Sequence, residues 1–332
     1  MHPTQHGASR WRGLRAIKAR VRARRAKLDL AASTAAEQVE DRTLWLPDGR
    51  RLGFRIYGDP HGLPVLFLHG TPGSRLKFTI AHEGGQRLGL AIIAPDRWGY
   101  GLTDAPRTPS LAAFAEDMAV LMDRLGERLF AVGGISGGGP FAAAVAAGLP
   151  ARVSALALVS PVGPIVDAGL GPSLPLLHRL CFTVLPRRPR TVATAMRAFR
   201  WSLRHTPRLA GHLTTWRAAG PDKRLIRRPE VGWRILGSFS EGLRPGTAGP
   251  NVDLSIFSRP WNVDLAAVRA PARLWIGTRD TNVPIAAARA LADRVPTCTL
   301  IELPDAGHLW VSVHHADVLA WIAAALGLSR AG

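Results

Sequence analysis

Short apolar runs alternate with longer segments of mixed polarity along most of the chain. Runs of this kind, rich in aliphatic and aromatic residues, predict β-strands. Eight strands are predicted. Thr43–Leu46 and Arg51–Tyr57 predict a hairpin around Pro47-Asp48-Gly49. The others are Pro64–Leu68, Ala91–Ala94, Leu129–Gly133, Val153–Val159, Arg273–Gly277 and Thr299–Leu303. Helical spacing occurs between or after the later runs, at residues 110–126, 138–148, 284–294 and 311–326. The alternation predicts an α/β fold with a mostly parallel, eight-stranded sheet and helices on both faces.

Two segments lie outside this alternation, one before it and one within it, and they also differ from the rest of the chain in charge. The 332 residues carry a net charge of +19. Residues 1–36 hold nine Lys/Arg and one acid, and residues 165–262 hold sixteen and five. The remaining blocks, 37–164 and 263–332, hold eighteen basic and eighteen acidic residues. We therefore predict a basic N-terminal extension (1–36) and a core in two parts (37–164 and 263–332), separated by an insertion (165–262).

Composition narrows the class of protein. Hydrophobic residues make up 47% of the chain, which is enough for a full core. The two cysteines, Cys181 and Cys298, make no disulfide framework, and this favours a reducing compartment. No apolar run approaches the roughly 20 residues that span a bilayer. The first residues lack the apolar stretch of a secretory signal, so we expect a cytoplasmic protein.

Polar residues of three types follow the predicted strands. Ser136, Asp280 and His308 each come shortly after the end of one strand. In a parallel sheet the carboxyl ends of the strands meet at one edge, and ligands bind at that edge. We therefore expect these three side chains to lie close together.

The stretch AVGGISGGGP, residues 131–140, places five glycines around Ser136. A phosphate-binding loop would need Lys followed by Ser or Thr after its last glycine, and this stretch lacks them. A dinucleotide-binding turn would need an acid about 20 residues further on, which the next strand does not provide. The pattern G-x-S-x-G is filled by Gly134, Ser136 and Gly138, and it holds a serine on a tight strand-to-helix turn. The N–H of Gly137 can then point at a developing oxyanion.

At five places the sequence resembles the α/β-hydrolase family: HGTPGSR (69–75), PDRWGYGLTD (95–104), GGISGGGP (133–140), WIGTRDTNVP (275–284) and PDAGHLW (304–310). The five blocks occur in the family's order. One departure is Trp98, where many members have proline, and we interpret it as a variation in the loop beside the site. The resemblance implies that residues 165–262 form a helical cap over the site, inserted before the strand that carries the catalytic acid.

The chemistry of serine and the resemblance together assign roles to the candidate residues. Ser136 would be the nucleophile, His308 the base that takes its proton, and Asp280 the acid that orients His308. This order along the chain is the one expected for the fold. The oxyanion hole needs two N–H donors. Gly137 supplies one, and by resemblance Thr71, the residue after His-Gly, supplies the other.

Other candidates stay open for some of these roles. Asp305, in a turn close to His308, and Asp167, after the preceding strand, are rivals of Asp280. His69 precedes the oxyanion loop, and we expect it to support that loop by hydrogen bonds. The sequence contains no HExxH motif and no cluster of Cys and His, so we expect neither a metal nor an organic cofactor.

These residues favour a capped serine hydrolase. It would cleave a carboxylic ester, or a related acyl bond, of a small and fairly apolar substrate through an acyl-enzyme. Serine at position 136 argues against members with an aspartate nucleophile, such as epoxide hydrolases. Ile135 departs from the tryptophan that proline iminopeptidases carry beside the serine. Hydrolysis of a C–C bond stays open, and so does a non-catalytic protein that binds a ligand or a membrane.

The two basic segments predict contact with an anionic surface. Apolar residues recur at helical spacing within residues 1–36, and a basic amphipathic helix is typical of membrane-surface binding. In the insertion, Arg197, Arg200, Arg204 and Arg208 form one repeating face. We expect peripheral contact with anionic membranes through both segments. A solvated arginine face, an unattached tail and organelle targeting are the alternatives. Nucleic acid also fits the charge, but no recognition pattern accompanies it.

Overall fold

The computed structural model describes residues 39–216 and 218–327. The predicted basic extension, residues 1–36, lies outside these ranges. The described part contains the sheet that the apolar runs predict: β1 (Arg42–Trp45), β2 (Arg51–Gly58), β3 (Leu63–Leu68), β4 (Leu90–Pro95), β5 (Phe130–Ile135), β6 (Val153–Val159), β7 (Ala272–Gly277) and β8 (Cys298–Leu303). Each strand overlaps one of the predicted runs.

The strands form a single sheet in the order β1-β2-β4-β3-β5-β6-β7-β8. β1 and β2 form the predicted hairpin, with Trp45 opposite Arg51. β2 runs antiparallel to β4, and the remaining neighbours are parallel. The carboxyl ends of β3 to β8 therefore lie along one edge of the sheet. The predicted fold class is confirmed.

Helices cover both faces of the sheet and fill the long connection between β6 and β7. They are α1 (His82–Leu88), α2 (Leu111–Arg124), α3 (Gly139–Gly148), α4 (Leu176–Arg179), α5 (Pro189–His205), α6 (Pro207–Thr215), α7 (Gly220–Ile226), α8 (Pro229–Gly242), α9 (Ala248–Phe257), α10 (Ile285–Arg294) and α11 (Val311–Ala325). α2, α3 and α10 share the main hydrophobic core, while α1 and α11 pack together on the opposite face.

The helices α4 to α9 lie where the sequence predicts an inserted cap. The arginines predicted to form one repeating face, Arg197, Arg200, Arg204 and Arg208, lie on α5 and α6. The domain bounds at residues 164 and 262 stay predictions from charge and resemblance. Among residues 39–216 and 218–327, no helix is both long and apolar enough to cross a bilayer.

Helix α1 is absent from the predicted elements. It contains Gly84 and Gly85, and glycine is a poor helix former, so the sequence pattern hides it. The packing explains the glycines. A Cβ on Gly85 would lie 2.8 Å from the Cα of Gly58 in β2, so the helix rests directly on the strand backbone.

The centre of the sheet is apolar on both sides. The strand β5 and the helix α3 are buried along almost their whole length. Leu66 of β3, Val132 of β5 and Leu156 and Leu158 of β6 are fully buried in the main core. Leu156 and Leu158 are two positions apart and therefore lie on the same face of the sheet. This packing gives the turn between β5 and α3 a rigid support.

Trp98, interpreted above as a variation beside the site, is part of the main core. Its ring packs edge-on against Phe114 of α2 and Phe141 of α3, with centroids 5.1 and 6.4 Å apart. Its Nε1 donates to Asp117 Oδ2 at 2.7 Å. Arg50 donates to the same carboxylate at 2.7 and 2.9 Å, which neutralises its charge. Trp98 therefore anchors the loop after β4 onto two helices.

Substitution of Trp98 should separate its ring packing from its hydrogen bond. We expect W98F to lower the free energy of unfolding by about 1–3 kcal/mol, because Asp117 loses a donor. W98A should lower it by about 3–5 kcal/mol, because the ring contacts also disappear. Urea unfolding followed by circular dichroism measures both. W45A, at a tryptophan that is 67% exposed, is the control and should change it by less than about 0.5 kcal/mol. A W98A protein as stable as W45A would contradict this assignment.

Candidate active site

Ser136 occupies a strained turn between β5 and α3. Its φ is +54°, in the left-handed region that residues with a side chain rarely adopt. β5 ends at Ile135, and one 3₁₀ turn, Ser136–Gly138, leads directly into α3. Within residues 131–140, Ser136 is the residue that is partly exposed, and its neighbours are buried. The turn therefore presents the serine hydroxyl at the carboxyl edge of the sheet.

The glycines on either side of Ser136 leave no space for a side chain. A Cβ on Gly134 would lie 2.5 Å from the carbonyl oxygen of Gly138. One on Gly138 would lie 2.5 Å from the carbonyl oxygen of Leu68, in the neighbouring strand β3. The first and last glycines of the G-x-S-x-G pattern thus permit the close approach that this turn requires.

His308 and Asp280 lie beside Ser136 at the same edge. His308 Nε2 is 3.0 Å from Ser136 Oγ, and His308 Nδ1 is 2.7 Å from Asp280 Oδ2. The other oxygen of Asp280 accepts from the backbone N–H groups of Asn282 and Val283 at 2.8 and 3.1 Å. Asp280 is thereby fixed to accept the Nδ1 proton, which leaves the Nε2 lone pair for the serine hydroxyl. The structure brings together the three residues expected to meet.

The two rival acids lie elsewhere. Asp305 pairs with Arg279 at 3.0 Å, and its side chain is 78% exposed. Its φ of +56° fits the turn residue expected at this position. Asp167 is exposed and accepts from the backbone N–H of Trp261 at 3.2 Å. Of the three candidate acids, Asp280 is the one bonded to His308.

Burial and neighbouring charges act in opposite directions on His308. The residue is 8% exposed, and burial by itself lowers the pKa of His308 because it disfavours the charged ring. The charge and hydrogen bond of Asp280, together with the charge of Asp222, outweigh burial and the opposing charge of Lys77. The pKa of His308 is therefore raised above its ordinary value of 6.5. These carboxylates favour the imidazolium that would form when His308 takes a proton.

The loop after β3 places Thr71 against Gly137. A Cβ on Gly137 would collide with Thr71 Oγ1, and a Cβ on Gly70 would lie 3.6 Å from Ser136 Oγ. Within the described ranges, the Thr71 N–H has no hydrogen-bond acceptor. Gly137 lies in the turn that precedes α3, where N–H groups lack partners in the helix. Both residues predicted for the oxyanion hole thus lie next to Ser136, and their role stays a prediction.

A buried ion pair behind the Thr71 loop is missing from the sequence predictions. The side chains of Arg97, after β4, and Asp253, on α9, are 0% and 1% exposed. Arg97 Nη2 donates to Asp253 Oδ2 at 2.8 Å. The same carboxylate accepts from the hydroxyls of Thr71 and Tyr100. Asp253 therefore fixes the Thr71 side chain from the inserted helices. Asp253 belongs to no sequence motif, and its partner Arg97 lies 156 residues earlier in the chain, so the sequence alone does not reveal the pair.

His69 supports the same loop, as expected. Its Nδ1 donates to the Gly70 carbonyl at 2.8 Å, and its Nε2 accepts from the Arg97 N–H at 2.9 Å. Burial, together with the charge of Arg97, holds the pKa of His69 well below 6.5. Both ring nitrogens are occupied, so His69 is a neutral residue that shapes the loop.

Aromatic residues of the insertion line the surroundings of the serine. A Cβ on Gly137 would lie 3.1 Å from Phe257 Cζ, at the end of α9. The ring of Phe182 lies 6.5 Å from that of Phe257 and 6.3 Å from that of His178, measured between centroids. His178 Nε2 contacts the carbonyl oxygen of Thr281, next to Asp280, at 3.0 Å. The insertion therefore gives the site an apolar wall.

Metal ligands are not grouped in the part of the chain that the structure describes. There, no three His, Cys, Asp or Glu side chains lie close enough together to hold an ion. The residues around Ser136 instead offer a hydroxyl, an imidazole, a carboxylate and backbone N–H groups.

Comparison with known proteins identifies a protein family that matches this chain. A family model described as alpha/beta hydrolase fold matches residues 64–314. A non-heme chloroperoxidase from Streptomyces lividans is 35% identical over 132 residues, which cover 37% of this chain and 46% of that protein. A 2-hydroxymuconate semialdehyde hydrolase from Pseudomonas putida is 26% identical over 277 residues, which cover 81% of this chain and 89% of that protein.

Solved structures share the same fold. A thermophilic esterase from Thermogutta terrifontis superposes with a TM-score of 0.61 at 24% sequence identity, and the match covers 87% of this chain and 98% of the esterase. The chain thus spans less than half of the chloroperoxidase and nearly all of the esterase. At this level of identity the structural likeness supports the fold.

Removal of the Asp253 carboxylate should destabilise the protein, because it leaves Arg97 buried without its counter-charge. We expect D253A to lower the free energy of unfolding by about 3–5 kcal/mol in urea denaturation. E302Q is the control, since it breaks the Arg289–Glu302 pair, whose side chains are 55% and 33% exposed. Its loss of unfolding free energy should be much smaller than that of D253A, because solvent screens an exposed pair. Equal losses of unfolding free energy in the two variants would contradict the expectation that burial makes the Arg97–Asp253 pair costly to break.

Proposed function

Because the chain belongs to the alpha/beta hydrolase fold family, we propose that it is a serine hydrolase built on that fold. Its substrate is a small, fairly apolar molecule with a carboxylic ester or a related acyl bond, and its reaction passes through an acyl-enzyme. The observation that carries the proposal is the chain of hydrogen bonds from Ser136 to His308 to Asp280, at 3.0 and 2.7 Å.

The first half of the reaction acylates the serine. Ser136 Oγ attacks the carbonyl carbon of the substrate while His308 Nε2 takes the hydroxyl proton. The N–H groups of Thr71 and Gly137 donate to the oxyanion of the tetrahedral intermediate. As the intermediate collapses, the bond to the leaving oxygen breaks and His308 gives its proton to that oxygen. The acyl group is then an ester of Ser136.

The second half removes the acyl group. A water molecule gives a proton to His308 and attacks the carbonyl carbon of the acyl-enzyme. The second tetrahedral intermediate forms in the same oxyanion site, and its collapse returns the proton to Ser136 Oγ. Asp280 keeps the imidazole in one tautomer and stabilises its charged form during both halves.

Hydrolysis of a C–C bond is the second candidate for the same site. It is favoured by the relative named as a 2-hydroxymuconate semialdehyde hydrolase, which aligns over 89% of its length. Ester hydrolysis is preferred because the apolar wall formed by Phe257 and Phe182 suits an acyl chain. A panel of p-nitrophenyl esters measured beside 2-hydroxymuconate semialdehyde separates the two candidates.

A fluorophosphonate probe tests the role of Ser136. We expect the wild-type protein to be labelled at Ser136 and S136A to remain unlabelled. S160A is the matched control, because Ser160 also has a left-handed backbone, with a φ of +42°, but is completely buried. D280N should lower kcat for p-nitrophenyl butyrate on the order of 10⁴-fold, because the imidazole loses its orienting acid. A folded wild-type protein that takes no label would contradict the proposal, as would equal labelling of S136A.

We also propose that one face of the insertion contacts anionic membranes. Trp201 on α5, with Leu209, Leu213 and Trp216 on and just after α6, are 47–66% exposed. The last three recur at helical spacing and therefore form one stripe. Large apolar side chains exposed together mark interaction surfaces, and tryptophan is typical of those that enter a lipid interface.

The charge around this stripe supports an anionic partner. Residues 189–216 contain five arginines and no acidic residue. Arg197, Arg204 and Arg208 are exposed, and none forms an ion pair within the described ranges. Attraction of each such residue to an anionic lipid surface is worth about 1 kcal/mol. The positive face would also repel a second copy of the chain, which favours lipid over self-association.

Vesicle sedimentation tests this surface. The chain without residues 1–36 retains every described residue, and we expect it to sediment with phosphatidylcholine–phosphatidylserine vesicles and not with phosphatidylcholine alone. The double variant W201A/W216A should lower the bound fraction several-fold, because the proposed face loses both of its exposed tryptophans. W45A, at an exposed tryptophan on β1, is the control. Equal binding by both variants would contradict the surface, as would no binding by the unsubstituted chain.

A further inference from the structure

We propose that Asp222, on the inserted helix α7, is a positioning residue for His308. Its carboxylate holds the backbone of the catalytic base, so the docked insertion helps to assemble the site. This inference rests on the serine hydrolase function proposed above. It adds a second carboxylate to the one that Asp280 supplies.

Two hydrogen bonds carry the proposal. Asp222 Oδ2 accepts from the backbone N–H of His308 at 2.8 Å, and Oδ1 accepts from the N–H of Leu309 at 2.8 Å. The residue is 1% exposed. Both oxygens are engaged on adjacent N–H groups, so the carboxylate fixes the direction in which the chain passes through position 308.

The N–H groups of His308 and Leu309 need such a partner. They lie just before α11, and the N-cap residue of that helix, Trp310, provides no side-chain hydrogen bond to it. N–H groups at the start of a helix lack intrahelical acceptors, and the helix dipole favours negative charge there. Asp222 supplies the acceptor for both N–H groups, and a negative charge near the start of α11, from a different helix.

Gly307, the residue before His308, has no side chain and so leaves space for the Asp222 carboxylate. A Cβ on Gly307 would collide with Oδ1 of Asp222, and the other carboxylate atoms lie almost as close. The φ of Gly307 is not in the left-handed region, so backbone freedom does not require glycine there. The space that Gly307 leaves is the space that Asp222 occupies.

A bond to the backbone of His308 acts differently from the bond to its ring. Asp280 orients the imidazole, whereas Asp222 fixes the Cα from which the imidazole extends. The distance of 3.0 Å between His308 Nε2 and Ser136 Oγ depends on both. Misplacement of a reacting group by about 1 Å can cost about 10²-fold in rate. Loss of Asp222 should therefore slow the reaction of Ser136 although no bond to the ring is removed.

The charge of Asp222 also acts on the pKa of His308, which gives the proposal a second measurable consequence. The ionisable groups that act on His308 are Asp280, after β7, Asp222, on α7, and Lys77, in the 3₁₀ segment Arg75–Ala81. The two carboxylates raise the pKa of His308 and Lys77 lowers it. Neutralising Asp222 leaves one carboxylate against Lys77 and burial, so the pKa of His308 falls. The base then stays unprotonated to lower pH.

The rate of fluorophosphonate labelling at Ser136 measures both effects without a known substrate. The rate is recorded from about pH 5 to about pH 9, a range that spans the ordinary titration of histidine. We expect D222N to reduce the rate near neutral pH by about 10-fold to 100-fold, and to move the acidic limb of the profile toward lower pH. Asn keeps one acceptor oxygen but turns an NH₂ group toward the other N–H. E230Q removes an exposed acid from α8 and should match the wild type in both respects.

A double-mutant cycle with Gly307 separates this contact from general destabilisation. G307A should slow labelling in the wild-type background, because the new methyl group displaces the carboxylate. In the D222A background the same substitution should have much less effect, since the atoms it collides with are gone. Thermal unfolding of each variant identifies those that are folded at the assay temperature, and only folded variants are compared.

The outcomes are distinct. The inference is overturned if D222N is labelled at the wild-type rate. It is also overturned if D222N is labelled more slowly but the acidic limb of its pH profile stays at the wild-type pH. Independent effects of G307A and D222A also overturn it. If the wild-type protein takes no label at Ser136, the proposed function itself fails and this inference fails with it. Slower labelling, a shifted limb and a non-additive cycle together establish Asp222 as a positioning residue.

Discussion

The left-handed backbone at Ser136 is the constraint on which the rest of this edge depends. A φ of +54° at a residue with a side chain is strained by itself. It persists because β5 and α3 are both buried and meet with no intervening loop. The turn also forces the carbonyl groups of β3 against the backbone of Gly138, which leaves position 138 without room for a side chain. The packed sheet centre therefore stabilises a conformation that presents one hydroxyl to solvent.

The inserted helices contribute buried acids to the loops that surround this hydroxyl. Asp253 on α9 accepts from Thr71 and Arg97, and Asp222 on α7 accepts from the residues at and after position 308. Glu241 on α8 similarly reaches Arg75, which is 2% exposed. Buried ion pairs add little net stability, but breaking one is costly, so they favour one arrangement over others. The geometry around Ser136 thus depends on how the insertion docks.

Much of the fold could be predicted from the sequence, because its signals are local. Apolar runs separated by amphipathic segments mark the strands, and G-x-S-x-G after a strand marks the turn. Predictions were incomplete where tertiary packing overrides local preference. The glycines that let α1 rest on β2 hide that helix, and Trp98, which reads as a loop variation, is a core residue because Asp117 and Arg50 lie behind it.

The sequence by itself determined the parallel sheet and the positions of Ser136, Asp280 and His308 at its carboxyl edge. Strand periodicity and motif order are properties of neighbouring residues, so they can be read along the chain. Only the tertiary structure decided that Asp280, and not Asp305 or Asp167, is bonded to His308. It also decided the partners of Asp253 and Asp222. Hydrogen bonds between residues as far apart as 156 and 86 positions leave no local pattern, because packing alone brings their atoms together.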